Sequence, residues 1–123
     1  MTGFARFGKT RVEICCIRSV DEAILAIRYG ASALGLVADM PSGPGVISED
    51  LISEIASVVP PYVTSVLLTS RKSVDEIVRQ QQCCSTNAIQ IVDRLELGSY
   101  DELREMLPGI DIIQVIHVVG EDR

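Results

Sequence analysis

The chain has 123 residues, 47% of them hydrophobic, 4% aromatic and 23% charged, and 17 acidic against 11 basic side chains give a net charge of −6. A chain this apolar is not intrinsically disordered, and with no Trp its core must be aliphatic. The acidity excludes the basic footprint of a non-specific nucleic-acid binder and a polybasic membrane anchor.

The first ten residues have no apolar h-region, so they read as an N-terminal extension and not as a secretory leader. Arg11 to Ile17 reads as a strand. Ser19, with Glu22 three residues on, opens a helix through a capping box, with Ala23, Ile24, Ile27 and Ala31 as its buried stripe and Gly30 as its C-cap. Ala33 to Ala38 is a second buried strand, and Asp39 to Val46, with two Pro and two Gly, is a loop. Ser48 starts a helix carrying Leu51, Ile52, Ile55 and Val58/Val59 on one face, and Pro60-Pro61 stops it.

Val63 to Thr69 is a third strand. Ser73 and Glu76 repeat the capping pattern on a helix predicted to end near Gln82. Ala88 to Val92 is a fourth strand, and Ser99 with Glu102 opens a helix that ends at Pro108-Gly109. Ile110 to Val119 is a fifth strand, and Gly120 to Arg123 is a polar end. No run reaches the ~20 apolar residues of a membrane span.

Strand and helix alternate throughout, and the strands are near-continuous apolar runs, the pattern of parallel strands buried on both faces. The four cysteines stand as adjacent pairs, Cys15-Cys16 and Cys83-Cys84, without a Cys-x-x-Cys spacing. The expectation is four free thiols in a reducing cytoplasm, with no metal and no cofactor. Cys83 and Cys84 read as packing residues at a helix end.

The stretch Glu13-Ile-Cys-Cys-Ile-Arg-Ser-Val-Asp-Glu-Ala23 resembles the opening of phosphoribosylanthranilate isomerase, a family that begins Lys-Ile-Cys-Gly-Ile. Tyr29-Gly-Ala-Ser-Ala-Leu-Gly-Leu-Val37 is similar to that family's second strand, and Gly43 to Ser48 falls on its Ser-Pro-Arg loop. Val58 to Thr64 and Leu107 to Ile110 match further family phrases in order. The resemblance implies a (β/α)8 barrel, of which residues 1–123 carry strands one to five and four helices as one partial domain. A five-stranded flavodoxin-like parallel sheet with helices on both faces is the alternative.

The implied reaction is an Amadori rearrangement of a phosphorylated sugar amine in tryptophan biosynthesis. Cys15 falls on the family's general base, at the end of the first strand. The helix opening at Ser19 would favour its thiolate, and a small apolar filler is the alternative role. Four departures stand against this. Glu13 replaces a Lys on the same side of the strand, Cys16 replaces a Gly, Gly45 replaces the loop Arg, and Val92 replaces a His. Arg18 and Arg71, at strand-to-helix ends, are candidate anion contacts or solvated loop residues, and Asp39 to Gly45 is a candidate close approach to a ligand or a plain loop. Asp93 and His117 are candidate ligand contacts near the ends of strands four and five, with a surface carboxylate and a hydrogen-bonded strand-end His as alternatives.

The implied general acid on strand six and the phosphate loops after strands seven and eight have no counterpart in the five strands. The chain alone is therefore expected to be inactive. Its open edges predict self-association or pairing with a complementing C-terminal segment. A non-catalytic or altered-substrate homologue that binds a small phosphorylated ligand or a partner protein is the second functional reading. The expected partner is thus a small phosphorylated sugar, with no nucleic acid and no membrane.

Overall fold

The computed structural model describes residues 10–119. The N-terminal extension expected at 1–10 and the polar end at 120–123 therefore lie, but for residue 10, outside the described residues. Five strands, β1 (Glu13–Ile14), β2 (Ala33–Val37), β3 (Thr64–Thr69), β4 (Ala88–Ile91) and β5 (Asp111–Gln114), alternate with four helices. These are α1 (Val20–Arg28), α2 (Glu49–Val58), α3 (Val74–Cys84) and α4 (Tyr100–Met106). All pairings are parallel, in the order β1-β2-β3-β4-β5.

This order decides between the two predicted architectures. Right-handed crossovers between strands laid down in sequence return every helix to the same face. Each helix accordingly packs on its neighbour in the chain, α1 on α2, α2 on α3 and α3 on α4. A flavodoxin-like sheet would place β2 at an edge with β1 inside it, and its helices would divide between both faces. That alternative is overturned. The sheet is an open segment of a barrel wall, with β1 and β5 as free edges.

The core lies between the sheet and the helices. Leu34, Leu36 and Leu67 pack with Ile52 and Ile55 in one cluster, and Ile89 and Ile91 pack with Ile77 and Leu103 in a second. Strand side chains alternate between faces, so Gly35, Val66, Ala88 and Gln90 turn to the opposite, lumen face.

Each helix begins with a serine whose hydroxyl accepts the backbone N–H three residues on, at Ser19, Ser48, Ser73 and Ser99. The reciprocal half of the box closes only at Ser99, where Glu102 accepts the Ser99 N–H at 2.9 Å. At the first helix Glu22 reaches one residue further back and accepts from the Arg18 N–H at 2.7 Å. Helix α1 ends in a Schellman arrangement. Gly30 takes φ +96, its N–H donates to Ile27, and the Ala31 N–H donates to Ala26.

Four boundaries or faces differ from expectation. Strand β1 has two residues because Cys16 turns to φ +60, a left-handed conformation that leaves the extended ladder. Strand β5 stops at Gln114 because its only partner, β4, stops at Ile91, and Ile116, Val118 and Val119 are exposed beyond it. Helix α3 runs two residues past Gln82, until Ser85 enters the left-handed region. On α1 the buried positions are Ala23 and Ala26, while Ile24 is 40% exposed, because residues three apart share a helix face and adjacent ones do not. Among the described residues no helix is long and apolar enough to cross a membrane.

Truncating Ile89, which is fully buried, should cost about 2–5 kcal/mol. Ser99→Ala, which opens the one complete capping box, should cost about 1 kcal/mol. Urea midpoints at constant m report both. A loss under ~1 kcal/mol for Ile89→Ala would contradict the helix-side packing described.

Candidate active site

In a barrel wall the strand-to-helix loops gather at the carboxyl ends of the strands, which is where such folds place their chemistry. Cys15 follows β1 at that end. Its thiol donates to Glu13 Oε2 at 3.4 Å, so the two side chains share one side of the strand, as their spacing predicts. Opposite them stands Gly35 on β2. A Cβ there would lie 2.8 Å from Cys15 Sγ and 2.9 Å from Glu13 Oε2. The missing side chain is the space the pair occupies.

The electrostatics run against a thiolate. Partial burial, then the Glu13 charge and its hydrogen bond to the thiol, then neighbouring Cys16, push the Cys15 pKa up from 9.0 to about 11. The pull expected from the helix opening at Ser19 is outweighed by burial and by a carboxylate in direct contact.

Cys16 and Gly45 form a second close contact. Cys16 Sγ donates to the Pro44 carbonyl at 3.7 Å. Gly45 takes φ +87, and a Cβ on it would lie 2.8 Å from both Cβ and Sγ of Cys16. The loop from Asp39 to Val46 is thereby clasped to the end of β1, and the Ile47 N–H continues the clasp onto the Val37 carbonyl at 2.9 Å. An arginine at position 45 would need both a strained backbone and a displaced Cys16.

The other candidates are placed apart from this corner. The exposed Arg18 sits just before α1, its backbone fixed by Glu22. Arg71 follows β3 and lies 3.8 Å from Asp39, an exposed pair worth at most ~1 kcal/mol. It also lines a groove with Glu49, Glu76 and Arg79 on α2 and α3, outside the lumen. Asp93 and His117 each make a main-chain bond at one strand edge, and neither bonds the other. His117 Nε2 donates to the Val92 carbonyl at 2.8 Å, and the Asp93 carbonyl accepts from Gln114 Nε2 at 3.1 Å. They lie at the β4–β5 edge, four strand positions from Cys15. Among the described residues no cluster of three or more His, Cys, Asp or Glu could hold a metal ion.

Sequence reasoning missed the buried amides that position these loops. Thr69 donates to Gln80, and Gln80 donates to Glu49 at 3.1 Å, tying β3 to α3 and α2. Gln114 links Tyr100 on α4 to the Ile91 and Asp93 carbonyls. The available signal was a polar residue inside an apolar run, as in Ile-Ile-Gln-Val-Ile around Gln114.

The fold and this mouth define an open five-strand segment of a (β/α)8 barrel. In sequence the chain is similar to phosphoribosylanthranilate isomerases. It is 31% identical over 111 residues to N-(5'-phosphoribosyl)anthranilate isomerase 2 of Methanosarcina mazei, covering 89% of this chain and 49% of that protein. In structure it is similar to phosphoribosyl anthranilate isomerase from Thermococcus kodakaraensis, with a TM-score of 0.80 and 20% identity over 92% of this chain and 52% of that one. It is also similar to a phosphoribosyl anthranilate isomerase in complex with reduced 1-(o-carboxyphenylamino)-1-deoxyribulose 5-phosphate, with a TM-score of 0.75 and 24% identity over 93% and 57%. The chain spans about half the length of the curated relatives it matches. No family model matches it.

Gly45→Ala should destabilise by about 1–3 kcal/mol, and less in a Cys16→Gly background, with a coupling of at least ~0.5 kcal/mol. Strictly additive losses in a double-mutant cycle would show that the two residues do not touch. Alkaline stability gives a second test. Burial, then Glu49 and Cys83, push Cys84 up from 9.0 to about 12. The unfolded thiol ionises first, so the stability this provides is complete below pH 9.0 and lost as pH rises toward about 12. Urea midpoints of Cys84→Ala should fall less steeply between pH 9 and 11 than those of the parent.

Proposed function

We propose that the chain supplies the first five strands of a phosphoribosylanthranilate isomerase-type site in the cytoplasm. The reaction is the Amadori rearrangement of a phosphorylated sugar amine, in which the proton on sugar C2 is removed at the Cys15–Glu13 corner. The observation that carries this reading is the match to the Methanosarcina mazei isomerase over 89% of the chain, with Cys15 at the lumen-side end of β1. Support for a phosphorylated ligand comes from the related enzyme, which holds a ribulose 5-phosphate derivative. Arg18, Asp93 and His117 follow the carboxyl ends of their strands at the mouth in this proposal, Arg71 faces the groove outside it, and Gly45 admits Cys16 against the loop.

In the family pattern the general acid and phosphate loops fall on strands six to eight. The proposal assigns them to a complementing segment, in the same polypeptide or another. A base without an acid or a phosphate grip lacks most of the positioning that drives such reactions, so the five-strand chain alone is inactive. Until a complement binds, the β1 and β5 edges and the exposed Val12, Ile14, Ile113 and Ile116 drive self-association.

The test mixes this chain with the C-terminal half of the Methanosarcina mazei protein and follows loss of phosphoribosylanthranilate fluorescence. Activity should appear only in the mixture, and sedimentation of the chain alone at micromolar concentration should show more than monomer. No activity in the mixture, despite co-elution of the two parts, would sink the isomerase reading. A second reading, an altered-substrate or non-catalytic homologue, is favoured by the Glu13–Cys15 contact and the side-chain-free Gly45. It predicts a folded mixture that binds a ribulose 5-phosphate derivative without turning over the anthranilate substrate.

A further inference from the structure

The corner between β1 and β2 holds two groups able to carry a proton, and their geometry divides the labour between them. We infer that Glu13, not Cys15, is the proton acceptor of this site, and that Cys15 is the thiol that positions it. This rests on the isomerase reading above and names the residue on which that reading turns.

The hydrogen bond sets the direction. Cys15 Sγ donates its single proton to Glu13 Oε2, so the accepting lone pairs lie on the carboxylate. Oε1 and the free lone pairs of Oε2 are not consumed by any other hydrogen bond among the described residues. Both residues are exposed on the open face, where a ligand can reach them. Gly35 makes the arrangement possible, since a Cβ there would lie under 3 Å from both polar atoms. The charged and titratable neighbours of the pair point the same way. Partial burial first, then Glu13 and Cys16, hold the proton on the Cys15 sulfur, to about pH 11. A base that stays protonated across the neutral range cannot remove another proton.

The step balances simply. The C2–H bond of the open-chain, N-protonated imine breaks, its proton forms an O–H bond on Glu13, its electron pair forms the carbon–carbon double bond of the enaminol, and the C=N π pair moves onto nitrogen and discharges it. Cys15 keeps its proton throughout, and its thiol fixes the rotamer of the carboxylate.

The test has two parts, read on the full chain and on its mixture with the Methanosarcina mazei C-terminal half. First, iodoacetamide alkylation of Cys15 is mapped by mass spectrometry against pH. In the parent the rate should still be climbing at pH 10, and in Glu13→Gln it should level off at a lower pH than in the parent, with the part of the shift due to burial retained. Second, in the active mixture Glu13→Gln should lose at least ~100-fold in kcat, Cys15→Ser less than ~10-fold, and Glu13→Asp should recover part of the loss. The acid limb of the pH profile should persist in Cys15→Ser. A parent alkylation rate that levels off near 9.0 overturns the inference. So does a Cys15→Ser loss equal to or larger than that of Glu13→Gln, which leaves the isomerase reading standing. A mixture with no turnover at all overturns the isomerase reading, and the role given to Glu13 falls with it.

Discussion

The sequential parallel pairing of the strands is the constraint on which the rest of the molecule depends. A strand laid down beside its predecessor, in the same direction, needs a crossover, and right-handed crossovers repeated in one sense put every helix on one side. Both core clusters then form there, between β2–β5 and the helices, while Val37, Val66 and Ala88 are buried on the other face. The two edges are left to solvent or to further strands. The carboxyl ends of all five strands point to one rim, so the residues that follow them are collected without any one of them being close in sequence.

At that rim the shaping force is steric before it is electrostatic. Two positions without side chains, Gly35 and Gly45, admit the side chains of Cys15, Glu13 and Cys16. The left-handed turn at Cys16 ends β1 and aims Cys16 at the loop from Asp39 to Val46, while Cys15 remains on the lumen side. Charge enters as a consequence. Packing Glu13 and Cys15 into the space left by Gly35 brings a carboxylate against a partly buried thiol, and burial together with that contact holds the proton on sulfur. The Glu13–Cys15 and Gly45–Cys16 contacts are thus features of one corner.

Buried polar side chains hold the frame around this corner. Thr69, Gln80 and Gln81 are at most 4% exposed, and each is hydrogen-bonded, as burial of an amide or hydroxyl requires. Gln81 and Thr86 bond reciprocally across the left-handed Ser85, which fixes the turn into β4. Asn87 and Ser65 exchange bonds at the start of β3 and β4 and so lock the register of the two strands. His117 and Gln114 do the same at the opposite end of β4.

Local patterning made the element order legible. Apolar runs of strand length, capping serines at 19, 48, 73 and 99, and Pro-Pro or Pro-Gly stops are each read over a few residues, and they give the order of the nine described elements though not all their bounds. The Glu13–Cys15 relation was legible too, because a spacing of two on a strand means one face. What sequence alone could not decide depends on partners far along the chain. Whether Ile110–Val119 pairs over ten residues or four is set by where β4 ends, and which of Ala23, Ile24 and Ala26 is buried is set by the sheet beneath α1. The contacts of Gly35 with Cys15 and of Gly45 with Cys16 span 20 and 29 positions, and only the folded wall brings them within reach. Sequence determined that this protein is a parallel α/β chain built on a barrel's repeat. Tertiary structure decided that its helices share one face, and that the thiol at its mouth stands against a carboxylate in a space a missing side chain leaves open.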